Sequence, residues 1–210
     1  MKITVIGAGN MGSAFVKQLH RVGHSVKITS RDHAKAAALA AQFAGVQAVA
    51  THGAADDADA VVLAAGYADA ATALASLGNL AGKIVIDITN PLTSDYMGLT
   101  IGHSTSAAEE IAKTAPQAVV IKAFNTLFAS VLDEGASFSP TAKVSVFIAG
   151  DSDSGKQTVK QLASSMGFEA VDAGGLKNAR YLEPLAGLNV YFGYGAGQGT
   201  GIAPTWMHKA

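Results

Sequence analysis

Cysteine is absent from all 210 residues, which excludes disulfides, thiolate nucleophiles and cysteine-ligated metals. Charge is sparse as well: Asp, Glu, Lys and Arg make up 15% of the chain and nearly cancel, for a net charge of −1. That balance leaves no electrostatic footprint for nucleic acid or for an anionic membrane surface, so neither is expected as a partner. Long hydrophobic runs are missing too, and no stretch approaches the length that spans a bilayer. Residues 2–6 already read as a strand, with no basic leader and no long apolar segment ahead of it, so a signal peptide is not expected and a cytoplasmic protein is.

Histidines do not replace the missing cysteines. Of His20, His24, His33, His52, His103 and His208, only His20 and His24 stand at a ligand-like spacing. Gly23 is placed to end a helix between them, so they read as surface imidazoles and no metal site is expected. His103, in a long loop, could protonate a substrate, but a surface histidine is the plainer reading. Ser104, Thr105 and Ser106 suit a helix N-terminus better than a nucleophile, and Asp56, Asp57 and Asp59 suit a solvated face.

What the chain does have is apolar residues, 49% of it, and 23 glycines, a globular and tightly turned composition. The first dozen residues organise the rest. The run Lys2-Ile-Thr-Val-Ile6 leads into Gly7-Ala8-Gly9-Asn10-Met11-Gly12 and then into a helical pattern through Phe15, Val16 and Leu19. Gly7 permits the tight turn, Gly9 lets a pyrophosphate approach the backbone, and Gly12 lets the helix lie close on its strand. The phosphate would sit at the helix N-terminus among free N–H groups. A glycine fingerprint alone is weak, but here it follows a strand and opens a helix, the context that makes it a dinucleotide site.

Strands are expected at 25–29, 46–50, 59–64 and 83–88, with helices at 32–43 and 68–77 between them. These strands are unbroken apolar runs, as in a parallel sheet covered by helices on both faces. A helix starting at a Ser106/Glu109 capping box and ending before Pro116 leads to a strand at 118–122. Strands at 143–149 and 168–171 enclose a helix at 153–166, and a last helix over 176–191 runs into the glycine-rich tail 193–201. The fold class is α/β, a Rossmann-type, doubly wound and mostly parallel sheet with a small C-terminal helical extension. The expected division is a dinucleotide-binding part at 1–175 and a helix with tail at 176–210. Trp206 and Met207, beyond the glycines, imply that the tail docks on something.

An NAD-binding fold carries an acidic residue at the end of its second strand, about twenty residues past the glycines. Here the position reads Thr29-Ser30-Arg31. A hydroxyl and a guanidinium suit a 2′-phosphate, which points to NADP, while Asp32 is placed to cap the next helix. Three further segments reach the carboxyl edge of the sheet, where ligands of open α/β sheets bind. They are Ala64-Ala65-Gly66-Tyr67, Thr89-Asn90-Pro91-Leu92 and Ala123-Phe124-Asn125-Thr126. They supply amides, hydroxyls and an aromatic ring, but no strong acid or base, so no catalytic residue is assigned. That inventory suits hydride transfer between two cofactors, in which the protein aligns the rings. The polar connection 89–103 is long enough to suggest a binding loop.

Taken together, these segments resemble the family of NADP oxidoreductases dependent on the deazaflavin coenzyme F420, shared by the cytosolic domains of certain eukaryotic membrane metalloreductases. The resemblance spans nearly the whole chain. It rests on Gly7–Gly12, Ser30-Arg31, Asp87-Ile-Thr-Asn-Pro-Leu92, Thr105-Ser-Ala-Ala-Glu-Glu110, Lys122-Ala-Phe-Asn-Thr126 and 171–180. It implies NADPH held by Gly7, Gly9, Asn10, Met11, Gly12, Ser30 and Arg31, with Ala64 and Ala65 beside it and the nicotinamide near Asn90, Pro91 and Ala123. The acceptor would meet Leu92, Phe124, Asn125 and Thr126 in a cleft closed by the C-terminal helix and tail, and the same C-terminal segment would form a homodimer. The implied reaction is direct hydride transfer between NADPH and a deazaflavin. Archaeal members that use the deazaflavin tend to carry a histidine where Asn125 stands, which leaves coenzyme F420, another flavin or a small molecule as the acceptor. Imine and β-hydroxy-acid reductases share the amino-terminal fold but normally add a sizeable helical domain; this chain instead continues with strands expected at 143–149 and 168–171, which ranks that reading lower. The rival reading is a regulatory module that senses a dinucleotide without turning it over.

Overall fold

The computed structural model describes residues 1–138 and 143–206; Met207 and His208 lie outside the described residues. Its eight strands are β1 (Lys2–Ile6), β2 (Ser25–Thr29), β3 (Gln47–Ala48), β4 (Ala60–Leu63), β5 (Ile84–Asp87), β6 (Val119–Lys122), β7 (Ser145–Gly150) and β8 (Glu169–Asp172). They form one sheet in the order β3-β2-β1-β4-β5-β6-β7-β8. The chain builds outward from β1 to β3, then crosses back to place β4 on the other side of β1. The order therefore reverses between β1 and β4, and the crevice at their carboxyl ends is where ligands of such sheets bind.

Helices α1 (Asn10–Arg21), α2 (His33–Ala40), α3 (Tyr67–Ser76), α4 (Ala107–Thr114), α5 (Ala129–Glu134), α6 (Asp153–Ser165) and α7 (Ala179–Val190) cover the sheet. Ile3, Val5, Phe15, Val16, Leu19 and Ile28 are buried in a core beneath α1, and Ile6, Val61, Leu63, Leu74 and Ile111 in a second beneath α3 and α4. Alternate residues of β4 feed the two cores, Ala60 and Val62 one and Val61 and Leu63 the other, which is why that strand is apolar at every position.

The elements follow local rules closely. Asp32 caps α2 by accepting the Lys35 N–H at 3.1 Å, as expected, so the helix begins one residue later than the apolar pattern. Gly23, at φ +79°, closes α1; its N–H and that of His24 return to the carbonyls of His20 and Leu19. The strand expected over 46–50 shrinks to Gln47–Ala48, because as the edge strand it has only β2 to pair with.

Two features depart from simple βα alternation. The six-residue α5 is too short to show a helical period, and no side chain caps it. It docks on α1, where Lys17 pairs with Asp133 at 2.6 Å and the Gln18 amide donates to the Asp133 carbonyl. After it, β7 runs antiparallel to β6, pairing only through Ile121–Gly150 and Lys122–Ala149, while β8 is parallel to β7. A Cβ on Gly150 would stand 2.3 Å from the end of the Ile121 side chain, so a larger residue at the crossing would require that side chain to shift.

Candidate active site

The glycine turn has the geometry its spacing demands. Gly7 has φ +116° and donates its N–H to the Thr29 carbonyl at 2.8 Å; a Cβ on it would lie 2.3 Å from the Ala64 carbonyl oxygen. A Cβ on Gly12 would meet the Gly7 carbonyl oxygen at 1.8 Å, so α1 approaches the turn only because this residue is glycine. Gly9 differs from both: nothing lies within 4 Å of where its Cβ would be. It is the N-cap of α1, makes no side-chain cap, and no acidic residue follows in the first turn. The positive end of α1, with Asn10 and Met11, therefore opens onto unobstructed space suited to an anion. Ala64 and Ala65, half-buried, form the opposite wall.

At the end of β2, Thr29 is buried and its hydroxyl bonds that of Thr51 at 2.8 Å. The Ser30 hydroxyl donates to the Asp32 carbonyl. Arg31 is 84% exposed, with one guanidinium nitrogen 3.2 Å from Asp69 in the first turn of α3. The guanidinium thus lies across the crevice between β2 and α3, restrained only by an exposed ion pair of small worth.

The edge formed by β5 and β6 is built differently. Asn90 donates its amide to the Asn125 carbonyl at 2.7 Å, and Asn125 returns a bond to Asn90 Oδ1 at 2.9 Å. The Asn125 amide also reaches the Leu182 carbonyl in α7 at 3.0 Å. Ala123 and Phe124 are completely buried. Phe124 was expected to face the acceptor, but a left-handed φ of +59° turns its ring into the core, edge-on to Phe15 at 5.1 Å and Phe168 at 6.2 Å. Ala123 spends its N–H on the Asp87 carbonyl, so both residues support the edge from below. Thr126 is buried, while Leu92 is half-buried and bridges to Leu99.

Beneath this edge lies an ionic cluster that sequence reasoning did not assign. Lys122 is fully buried and pairs with Asp87 and Glu183, each at 2.8 Å, themselves 0% and 2% exposed. Its ammonium also donates to the Thr89 carbonyl at 2.6 Å. Asp87 accepts the Thr89 N–H at 2.8 Å, and Glu183 accepts the N–H groups of Ala107 and Ala108 at the start of α4. A sequence signal did exist: Asp87 and Lys122 each end an apolar strand run, and the β5–β6 register sets them opposite each other. Nearby, the Arg180 guanidinium holds Glu109 below its usual carboxylate range, with the Ser106 hydroxyl assisting, against the upward push of burial. Tyr67, which opens α3 at the same edge, has its phenol pushed up by burial and by the charges of Glu110, Glu183 and Asp87.

The C-terminal segment packs against the β5–β6 edge, where Asn125 bonds the Leu182 carbonyl and Asn189 the Thr126 carbonyl. A tight turn at Leu176–Asn178 leads into α7, and a wide turn at Tyr191–Gly195 leads out of it. The tail then folds back on the body: Phe128 packs edge-on against Tyr194, Ser130 bonds the Thr200 carbonyl at 2.7 Å, and Phe147 meets Trp206. The docking expected of Trp206 is therefore onto the molecule's own β7, while Met207 lies outside the described residues. The loop at 89–103 folds into a tight excursion, with Thr93 bonded to Gly98 and the Thr100 N–H to the Pro91 carbonyl. His103 is exposed, and His20 bonds only the Ala44 carbonyl among the described residues. A surface hollow of about 230 Å³ lies at the opposite edge, lined by Leu74, Leu80 and Pro116 among others and by no charged side chain.

The model of the family described as NADP oxidoreductase, coenzyme F420-dependent, matches residues 2–91, from β1 through the Asn90-Pro91 turn. The F420-dependent NADP reductase of Methanothermobacter thermautotrophicus is 32% identical over 205 residues, covering 90% of this chain and 87% of that protein. The chain belongs to this family. A solved structure of a candidate F420-dependent NADP reductase from Arthrobacter sp. FB24 is 32% identical, with a TM-score of 0.84 and 96% of each chain covered. The metalloreductase STEAP3 of Rattus norvegicus is 31% identical over 185 residues, or 88% of this chain. The chain spans only about a third of that relative's length, 36%. Among the described residues, no helix is long and apolar enough to cross a membrane.

Proposed function

We propose that this protein is an NADP-dependent oxidoreductase that moves a hydride between NADPH and a flavin-like acceptor: coenzyme F420, another flavin or a small molecule. The observation that carries the reading is the turn at Gly7–Gly12, with its open position at Gly9, set where the strand order reverses. Thr29-Ser30-Arg31 in place of an acidic residue favours the 2′-phosphate of NADP. Family membership supports the same cofactor and the same kind of transfer. In this reading Gly7, Gly9, Asn10, Met11 and Gly12 take the pyrophosphate. Ser30 and Arg31 take the 2′-phosphate, and Ala64, Ala65, Asn90 and Pro91 flank the rest of the dinucleotide, with Ala123 supporting that edge from below. Leu92, Asn125 and Thr126 face the acceptor, with Phe124 supporting them from the core.

The protein's part is binding and alignment. NADPH supplies the hydride when bound, and the chain provides a rigid amide pair, Asn90 and Asn125, at the edge where the ring would lie. The exposed side chains of Tyr181 and Leu188 on α7 and Phe192 in the turn after it recur at seven- and four-residue steps, with Tyr191 and Tyr194 beside them. An apolar face of this kind suits a homodimer interface, and a cytoplasmic location would supply the cofactor. A calorimetric titration with NADPH and NADH, followed by oxidised deazaflavin or FMN, tests the reading. Preferential NADPH binding followed by acceptor reduction is the expected result. Binding without turnover of any acceptor would favour the sensor, and no binding would overturn both.

A further inference from the structure

Three charged side chains buried together at the carboxyl edge need a reason, because apolar residues of equal volume would join the same elements without the cost of desolvation. What an ammonium supplies is a positive charge together with directed protons. Lys122 joins three separate pieces: it donates to Asp87 at the end of β5 and to the Thr89 carbonyl in the following turn, and it pairs ionically with Glu183 in α7. Asp87 grips the same turn from its other side by accepting the Thr89 N–H. Both backbone polar groups of Thr89 are thus held by buried charges, and Asn90, the next residue, is the one that pairs with Asn125. Around this turn, the Thr89 Oγ1, Asn125 Oδ1 and Thr126 Oγ1 atoms are buried without a partner among the described residues. Unspent polar atoms are rare in folded cores and cluster where a protein keeps groups ready for something else.

We propose that Lys122 is a positioning residue: through Thr89 it sets the Asn90-Pro91 turn against the nicotinamide end of the dinucleotide, and through Glu183 it locks α7 to that turn. The proposal rests on the reading that NADPH occupies the crevice. Lys122 lies at the β5–β6 edge, away from the Gly7–Gly12 turn and Arg31, so its influence falls on one end of the ligand only.

Two ligands separate this role from general packing. NADPH reaches both ends of the site, whereas adenosine 2′,5′-bisphosphate reaches only the adenosine end. Calorimetry and thermal melting of the wild type, Lys122→Met, and Lys122→Met combined with Asp87→Asn provide the comparison. The double variant leaves Glu183 as the single charge, preserving the cluster's net charge and the contacts at α4. In both variants NADPH should bind about tenfold more weakly, because the Asn90-Pro91 turn is no longer held in place. The adenosine fragment should keep its wild-type affinity within about twofold. The double variant should regain thermal stability without regaining NADPH affinity, and it carries the comparison if Lys122→Met alone does not fold. Equal weakening of both ligands, or unchanged NADPH binding in a folded variant, would overturn the positioning role. A wild type that binds neither ligand would instead show that the dinucleotide reading itself is wrong.

Discussion

At the scale of single residues, Arg31 is the proposed determinant of which dinucleotide is preferred. Among the described residues its guanidinium is held by Asp69 alone, at 3.2 Å and in solvent, so a 2′-phosphate displaces a weak exposed ion pair. A charge-assisted contact to that phosphate is worth about 2 kcal/mol, or roughly 30-fold in affinity. Arg31→Ala should therefore weaken NADPH by that factor and leave NADH nearly unchanged in parallel titrations. An equal loss for both cofactors would place the 2′-phosphate elsewhere. Phe124 acts in the opposite direction, serving the site by filling the core beneath it.

At the scale of elements, the turn between β1 and α1 separates folding from binding within six residues. The Gly12 position has no room, since its Cβ would overlap a backbone carbonyl that cannot move without displacing the turn. Gly12→Ala should cost about 3 kcal/mol of stability, visible as a lowered melting temperature. The Gly9 position has φ −85° and empty space around its Cβ. Gly9→Ala should melt like the wild type yet lose NADPH binding, because the added methyl group occupies the phosphate's approach. A Gly9→Ala protein that binds NADPH normally would mean that no pyrophosphate lies against this turn. Helix α7 illustrates the same division: Leu182, Glu183 and Asn189 fasten it to the sheet edge, while its outer face presents Tyr181 and Leu188 to solvent.

At the scale of the whole molecule, the C-terminal segment joins the site to that outer face. The tail is tied to α5 and β7, and a Cβ on Gly195 would touch Met97 in the loop after β5. A dimer formed through Leu188, Tyr191 and Phe192 would press on the segment that, in the proposed reading, covers the acceptor side. Tyr191→Glu, which buries a charge in such an interface, should convert a dimer to a monomer in sedimentation velocity while leaving the monomer folded. A wild type that sediments as a monomer at tens of micromolar would remove the homodimer from the reading.

The features set by local chemistry were legible in the amino-acid sequence: the apolar strand runs, the glycine turn, the Asp32 and Ser106 caps, and the missing acid after β2. Each depends on neighbours a few residues away, where backbone sterics and hydrogen-bond geometry leave little choice. Tertiary structure decided the rest. Asp87 and Lys122 stand 35 residues apart, and only the β5–β6 register makes them partners. Glu183 joins them because α7 lies over that edge, which no helical period announces. The inward turn of Phe124, the reversal of β7 and the docking of the tail likewise follow from which surfaces remain to be buried once the sheet has closed. Burial of polar groups is a property of the assembled fold: their partners come from distant strands and helices, and spacing along the chain does not encode them.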